Sequence, residues 1–239
     1  MKIDIEKTIK IENLVQWFEV AQPKGGNVQW KPGRSAMEMA RFALSNEFAK
    51  VIHKVLKECG LKNCDFKCEP EKQTAFEKGM GKGGPRNHDL LMLGDDILIG
   101  IEAKVSESFD KKIKDKRKNA AENMHLRLDS CLDYLYETRP QNAEDLYYQL
   151  FSSTVGSIIE AKRQKKNNVI SLFIVFVGSV DKEDKYEINV KNNDIAFNEF
   201  CQTFGLGVNG GKLPKIPGAP DINCWVKKIE INIGGYAIK

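Results

Sequence analysis

The stretch at residues 83–109, GGPRNHDLLMLGDDILIGIEAKVSESF, constrains the fold of this chain more than any other. Two short apolar runs, 89–93 and 97–104, are parted only by Gly94-Asp95-Asp96, so they read as a β-hairpin. Ile97, Leu98, Ile99 and Ile101 crowd around Gly100 without polar alternation, as in a strand covered on both faces. The hairpin therefore belongs at the centre of a sheet. Charges stand where it ends: Asp89 opens the first run, and Glu102 and Lys104 close the second.

Residues two apart along a strand share a face, so Glu102 and Lys104 point one way and Ala103 the other. The turn decides where Asp89 points. A two-residue loop at Asp95-Asp96 pairs Gly94 with Ile97 and sets Asp89 opposite Glu102 on the same face; a four-residue loop keeps that pairing. A three-residue loop slips the register and turns Asp89 away. With an even loop the two carboxylates have Cβ atoms about 5 Å apart.

The flanking segments supply the layers that cover such a sheet. Residues 35–58 place Ala36, Ala40, Ala43, Leu44, Phe48, Val51, Ile52 and Val55 at helical spacing, with Ser35 and Glu38 as an S-x-x-E capping box and Gly60 as terminator. A strand follows at 64–76, then a glycine-rich loop at 77–87 that reads as mobile. Its Gly79, Gly81 and Gly84 match G-x-G-x-x-G, but a dinucleotide fingerprint needs a strand before and a helix after, and Pro85 precedes a strand. Residues 108–137 are helical in composition and carry a basic run, Lys111 to Lys118. A further helix at 143–165 starts behind Asn142 as N-cap, with Glu144 and Asp145 in its first turn and Lys162, Arg163, Lys165 and Lys166 at its end. The run NVISLFIVFVG, 168–178, is strongly β-prone. Beyond it come a short helix at 194–204, a Gly/Pro-rich loop at 205–220 and an alternating strand at 222–233. The central order helix, strand, strand, strand, helix, strand implies an α/β fold: a mixed sheet with helices on both faces. A chain of 239 residues, 41% hydrophobic, is read as one domain spanning 1–239, its core at 35–178.

Several function classes are excluded. No run approaches the roughly 18 apolar residues of a membrane span, and the N-terminus alternates charge with isoleucine instead of forming a signal peptide. Six cysteines without a C-x-x-C pair suit a reducing, cytoplasmic setting, and the spacing of Cys59, Cys64 and Cys68 fits no common zinc site. A net charge of +4 is compatible with a nucleic-acid partner. The glycine-rich loop has no Walker lysine with its Ser/Thr, which counts against a nucleotide-binding enzyme.

Two carboxylates side by side at a sheet's mouth repel each other, and taking each from water costs several kcal/mol without a compensating positive charge. Lys104 neutralises one. Oxygen ligands with the charge that remains suit a hard divalent cation such as Mg²⁺. Asp89 followed by Glu102-Ala103-Lys104 after a hairpin resembles the D…(D/E)-x-K signature of the PD-(D/E)XK nuclease superfamily, and the helix–strand–strand–strand–helix–strand order resembles its restriction-endonuclease-like αβββαβ core over about 35–178. The stretches WKPGRSAMEMARF, NHDLL…GIEAKVSESF and YYQLFSSTVGSIIEAKRQ are similar to uncharacterised bacterial members of that group. His88 departs from it, standing where the family often has proline, a residue that is not a ligand.

The resemblance implies that Asp89 and Glu102 hold Mg²⁺ or Mn²⁺, with the Ala103 carbonyl as a further ligand. Lys104 would position the attacking water and stabilise charge on the phosphate. It also brings in Glu38, a helix carboxylate within reach of the metal that serves equally well as a capping residue, and Gln149, which presents a polar group to the site or to solvent. Lys82, Arg86 and His88, beside the proposed chemistry, are the expected phosphate contacts. The expected activity is phosphodiester hydrolysis on nucleic acid, DNA first, by a protein without membrane association and compatible with a homodimer. The alternative is an inactive nucleic-acid-binding or scaffold protein of the same fold.

Overall fold

The computed structural model describes residues 1–23, 25–81, 84–105, 107–118, 120–178 and 184–236, with the side chains of 184–188 outside the description. In chain order the elements are β1 (Ile3–Ile5), α1 (Leu14–Val20), α2 (Ser35–Ala43), α3 (Asn46–Glu58), β2 (Phe66–Thr74), β3 (Arg86–Leu93), β4 (Ile97–Lys104), α4 (Ile113–Arg117), α5 (Glu122–Leu135), α6 (Tyr148–Arg163), β5 (Asn168–Val177), α7 (Asp184–Gln202), β6 (Gly210–Lys212) and β7 (Asn223–Asn232). The strands form one seven-stranded mixed sheet ordered β1-β2-β3-β4-β5-β7-β6. β2–β3 and β3–β4 are antiparallel, while β4–β5 and β5–β7 are parallel.

The strands at the centre explain themselves. Every residue of β4 is buried, and its odd positions Ile97, Ile99, Ile101 and Ala103 pack with Leu90, Met92, Phe42, Phe48 and Ile52 into the core beneath α2 and α3. Leu98 joins Leu91, Phe151, Val155, Phe173 and Phe197 on the opposite face, beneath α5, α6 and α7. Both faces are thus helix-covered, which is why neither β4 nor β5 alternates in polarity. Among the described residues no helix is long and apolar enough to cross a membrane.

Several expected elements differ in detail. The helix over 35–58 is two helices, broken where Ser45 becomes the N-cap of α3 and its Oγ donates to the Phe42 carbonyl at 2.6 Å. Its C-terminus does end at glycine: Gly60 at φ 69° closes a Schellman turn, with Leu61 N–H on the Leu56 carbonyl at 2.9 Å. Ser35 caps nothing. The N-cap of α2 is Arg34, and Glu38 reaches back past it to the Gly33 N–H at 2.8 Å. The helical stretch 108–137 also splits, into α4 and α5. Asn142 opens only a 3-10 turn at Ala143–Asp145, and α6 begins at Tyr148. The short helix expected at 194–204 is longer, reaching back to Asp184, and β1, α1 and β6 were not foreseen.

The described residues of the loop, 77–81 and 84–87, are anchored rather than mobile. The buried Arg127 of α5 donates to the carbonyls of Met80 at 3.0 Å, Gly81 at 3.2 Å and Gly84 at 3.4 Å, and its guanidinium lies 3.9 Å above the Phe76 ring. Lys82, expected to contact phosphate, lies outside the described residues.

Candidate active site

The hairpin turn is the two-residue form. The Gly94 N–H donates to the Ile97 carbonyl at 2.9 Å, and the register runs from Leu93↔Leu98 to Leu90↔Ile101. One step further Asp89 stands at the level of Glu102. There the ladder gives way to a side chain, for the Asp89 carboxylate accepts the Ala103 N–H at 2.7 Å. A carboxylate doing the work of a strand carbonyl fixes Asp89 against β4.

The neighbouring strand explains the interruption. β2 and β3 pair through Pro70↔Leu90 and again through Lys72↔His88, leaving Glu71 and Asp89 between. Glu71 has φ 49°, a left-handed conformation that costs a non-glycine residue about 1–3 kcal/mol. Both strands change face at this step. Phe66 and Cys68 face α2 and α3, whereas Thr74 bonds Glu160 of α6; Leu90 faces α2 and α3, whereas Arg86 and His88 pack against Gly156 of α6. Such an irregularity re-aims side chains, and here it turns Arg86 into the site.

α6 closes the site from above because it approaches β4 at glycine. A Cβ on Gly100 would overlap Ser157, and one on Gly156 would lie 2.9 Å from Arg86 Cγ. Gln149, Ser153, Gly156 and Ser157 therefore form a small, polar stripe over the even positions of β4. Glu102 collects the result: its Oε1 accepts Lys104 Nζ at 2.7 Å and Gln149 Nε2, and its Oε2 accepts Arg86 Nη2, which also donates to Ser153 Oγ at 2.6 Å.

These groups line one cleft of about 420 Å³, shared by Glu71, Arg86, Asn87, Asp89, Glu102, Lys104, Glu107 and Gln149 with Pro23, Gln29, Arg34 and the first residues of α2. Burial raises the Asp89 carboxyl above its ordinary value, opposed by Lys104, the Ala103 N–H and Arg86. Burial likewise depresses the Lys104 ammonium, against the pull of Asp89. Glu71 is pushed to about 7 by burial and by Asp89 beside it.

Asp89, Glu102, Lys104, Gln149 and Arg86, anticipated from sequence, thus meet in one place, and Ala103 presents its backbone there. Two others do not line the cleft. Glu38 is buried with its carboxylate taken by Gly33, Arg41 and the Tyr236 hydroxyl at 2.6 Å. His88 is 1% exposed, wedged against Gly100 and Gly156, and burial holds it neutral with a pKa of about 3, so it offers no charge to a phosphate. The basic run at 111–118 is largely spent on Lys114–Asp145, Lys116–Asp110, Arg117–Asp129 and Lys118–Asp115 pairs. Sequence reasoning passed over Glu71, Arg34 and Ser153. Only Ser153 left a signal, the helical spacing of Gln149, Ser153, Gly156 and Ser157.

Over residues 10–232 the chain matches the model of DUF6946, a domain of unknown function, and it belongs to that family. No curated protein and no solved structure matches it.

Proposed function

We propose that this DUF6946 protein is a metal-dependent nuclease of PD-(D/E)XK type that hydrolyses phosphodiester bonds of DNA in the cytoplasm. The observation that carries the reading is the Asp89–Ala103 hydrogen bond, which locks one carboxylate across the hairpin into the cleft that holds Glu102 and Lys104. The order α2/α3, β2, β3, β4, α6, β5, with α4 and α5 inserted between β4 and α6, supports a restriction-endonuclease-like core, and six free cysteines, five of them buried, support a reducing compartment.

The donor set fits Mg²⁺ or Mn²⁺. Asp89, Glu102 and the Ala103 carbonyl are hard oxygen donors, and Mg²⁺ is ordinarily held by one or two carboxylates with water and substrate phosphate. Among the described residues no group of three or more His, Cys, Asp or Glu comes together as a metal cage, so the ion would depend on the two carboxylates, the backbone carbonyl, water and phosphate. Held by these residues, such an ion would supply Lewis acidity. The rest belongs to the chain. Lys104 brings an ammonium to the point where charge develops on phosphate, and Gln149 and Ser153 hold the network in place from α6. Arg34, beside Ser35 and Ala36 at the start of α2, puts a cation on the cleft wall, which suits phosphate.

One observation favours the second reading, a binding protein without cleavage: both Glu102 oxygens already have cationic or amide partners. Cleavage of a labelled duplex in Mg²⁺ or Mn²⁺ separates the two. The nuclease reading expects cleavage by wild type and loss of at least about 100-fold in Lys104→Ala and Asp89→Asn, the scale of removing one transition-state donor. Equal cleavage by all three proteins removes this mechanism, and DNA binding without cleavage selects the second reading.

A further inference from the structure

The Arg86 guanidinium is paired with Oε2 of Glu102, one of the two carboxylate oxygens open to a cation at this residue. Oε1 is shared by Lys104 and Gln149, whereas Oε2 has Arg86. Arg86 is also imperfectly seated. Its Nε is buried with no hydrogen-bond partner among the described residues, although Nη2 bonds both Glu102 and Ser153. Its stem packs closely over the bare backbone of Gly156, and the residue borders the open cleft. An arginine so placed neutralises a carboxylate that would otherwise be stranded in a desolvated pair. It also has a donor left to satisfy, at Nε, and a cleft beside it.

We infer that Arg86 is the resident counter-cation of the metal-free site, that it gives up Glu102 when a divalent ion binds between Asp89 and Glu102, and that its freed guanidinium then takes the phosphate of the incoming nucleic acid. The inference rests on the metal-site reading above. Its electrostatic sense is an exchange. A dication replaces a monocation at Glu102, and the displaced charge seeks an anion in the same cleft. Metal and nucleic acid are then positively coupled, and reciprocally so, through one side chain. The planar fork of arginine suits both roles, since it pairs with carboxylate and phosphate in the same geometry.

Calorimetric titration with Mn²⁺ of wild type, Arg86→Gln, Ser153→Ala and Asp89→Asn tests the exchange. Removing the competitor tightens Mn²⁺ binding about tenfold in Arg86→Gln. Ser153→Ala, which only cuts the 2.6 Å tether of Arg86 and retains its charge, tightens binding by a smaller factor and keeps the test alive should Arg86→Gln fold poorly. Without metal, Arg86→Gln melts below wild type, and Mn²⁺ recovers more of the difference than it adds to wild type. Weaker or unchanged Mn²⁺ binding in both Arg86→Gln and Ser153→Ala, with binding lost in Asp89→Asn, overturns the exchange and leaves the metal site standing. Binding by Asp89→Asn equal to wild type overturns the metal site itself. For the coupling, anisotropy of a labelled duplex measured with and without Ca²⁺ shows a metal-dependent gain in affinity for wild type that vanishes in Arg86→Gln; the same gain in both contradicts the phosphate role.

Discussion

Replacing Gly100 by alanine tests the contact that lowers α6 onto the site. A Cβ there would overlap Ser157 Oγ, stand 3.1 Å from Ser157 Cβ and 3.2 Å from His88 Nδ1. Both neighbours are buried, and Ser157 Oγ is held by the Ser153 carbonyl at 2.8 Å, so neither yields freely. The overlap is deep, so overpacking sits at the upper end of its usual range of about 1–3 kcal/mol, against about 0.5–1 kcal/mol recovered because alanine loses less chain entropy than glycine in a strand. A net loss of about 2 kcal/mol lowers the melting temperature by about 4–8 °C in a domain of this size. Urea unfolding of Gly100→Ala, Ser157→Gly and the double variant isolates the cause. Ser157→Gly alone costs about 1 kcal/mol as a helix-interior glycine, but it opens the space. In that background Gly100→Ala costs only a few tenths of a kcal/mol, the residue of its contact with His88, and the coupling between the two sites is about 1.5 kcal/mol. An equal cost of Gly100→Ala in both backgrounds would refute close approach at Gly100 as the device that sets α6 over Glu102. On the proposed nuclease reading, cleavage should follow the same pattern, falling in the single variant as Gln149 and Ser153 lift and recovering in the double.

Three other outcomes follow from the same geometry. Arg127→Met removes the donor of three loop carbonyls and the partner of Phe76, so limited proteolysis should cut within 77–85 far faster than in wild type; an unchanged digestion pattern would show that the loop is held elsewhere. His88, with a folded pKa of about 3 against an ordinary 6.5, leaves a proton to the unfolded chain between those values, so stability is lost as pH falls from 6.5 towards 3, by up to about 1.4 kcal/mol per pH unit. His88→Gln should flatten that slope in urea midpoints. Glu71 acts oppositely: with a folded value of about 7 it holds a proton that the unfolded chain releases, so it makes stability fall as pH rises from about 4.5 to 7, and Glu71→Gln should be the more stable protein at pH 8.

The hairpin and its register were legible because period-two burial and a two-residue turn leave little choice of face. Asp89, Glu102 and Lys104 could therefore be placed together from residues alone. Arg86 could be named as a neighbour but not as a partner of Glu102. Its orientation depends on the change of face at Glu71, and a glutamate at φ 49° has no signature in composition or periodicity. Glu38 was open to two readings because its spacing from Ser35 fits a capping box; the hydroxyl that claims it belongs to Tyr236, 198 residues away, beyond the reach of local pattern. Arg34, Gln29 and Pro23 enter the cleft from an irregular segment, where neither 3.6-residue nor two-residue periodicity applies. The break between α2 and α3 was visible in principle, since Ser45-Asn46 is N-cap chemistry inside a helical pattern, but the continuous apolar stripe concealed it.

The central claim is that Asp89 and Glu102 share a divalent ion, and anomalous diffraction from crystals grown with Mn²⁺ tests it most directly. The account predicts one manganese peak between the two carboxylates, within about 2.0–2.4 Å of an oxygen from each and near the Ala103 carbonyl, with the Arg86 guanidinium moved off Glu102. Manganese absent from that position at saturating concentration, with Arg86 still paired to Glu102, would contradict it.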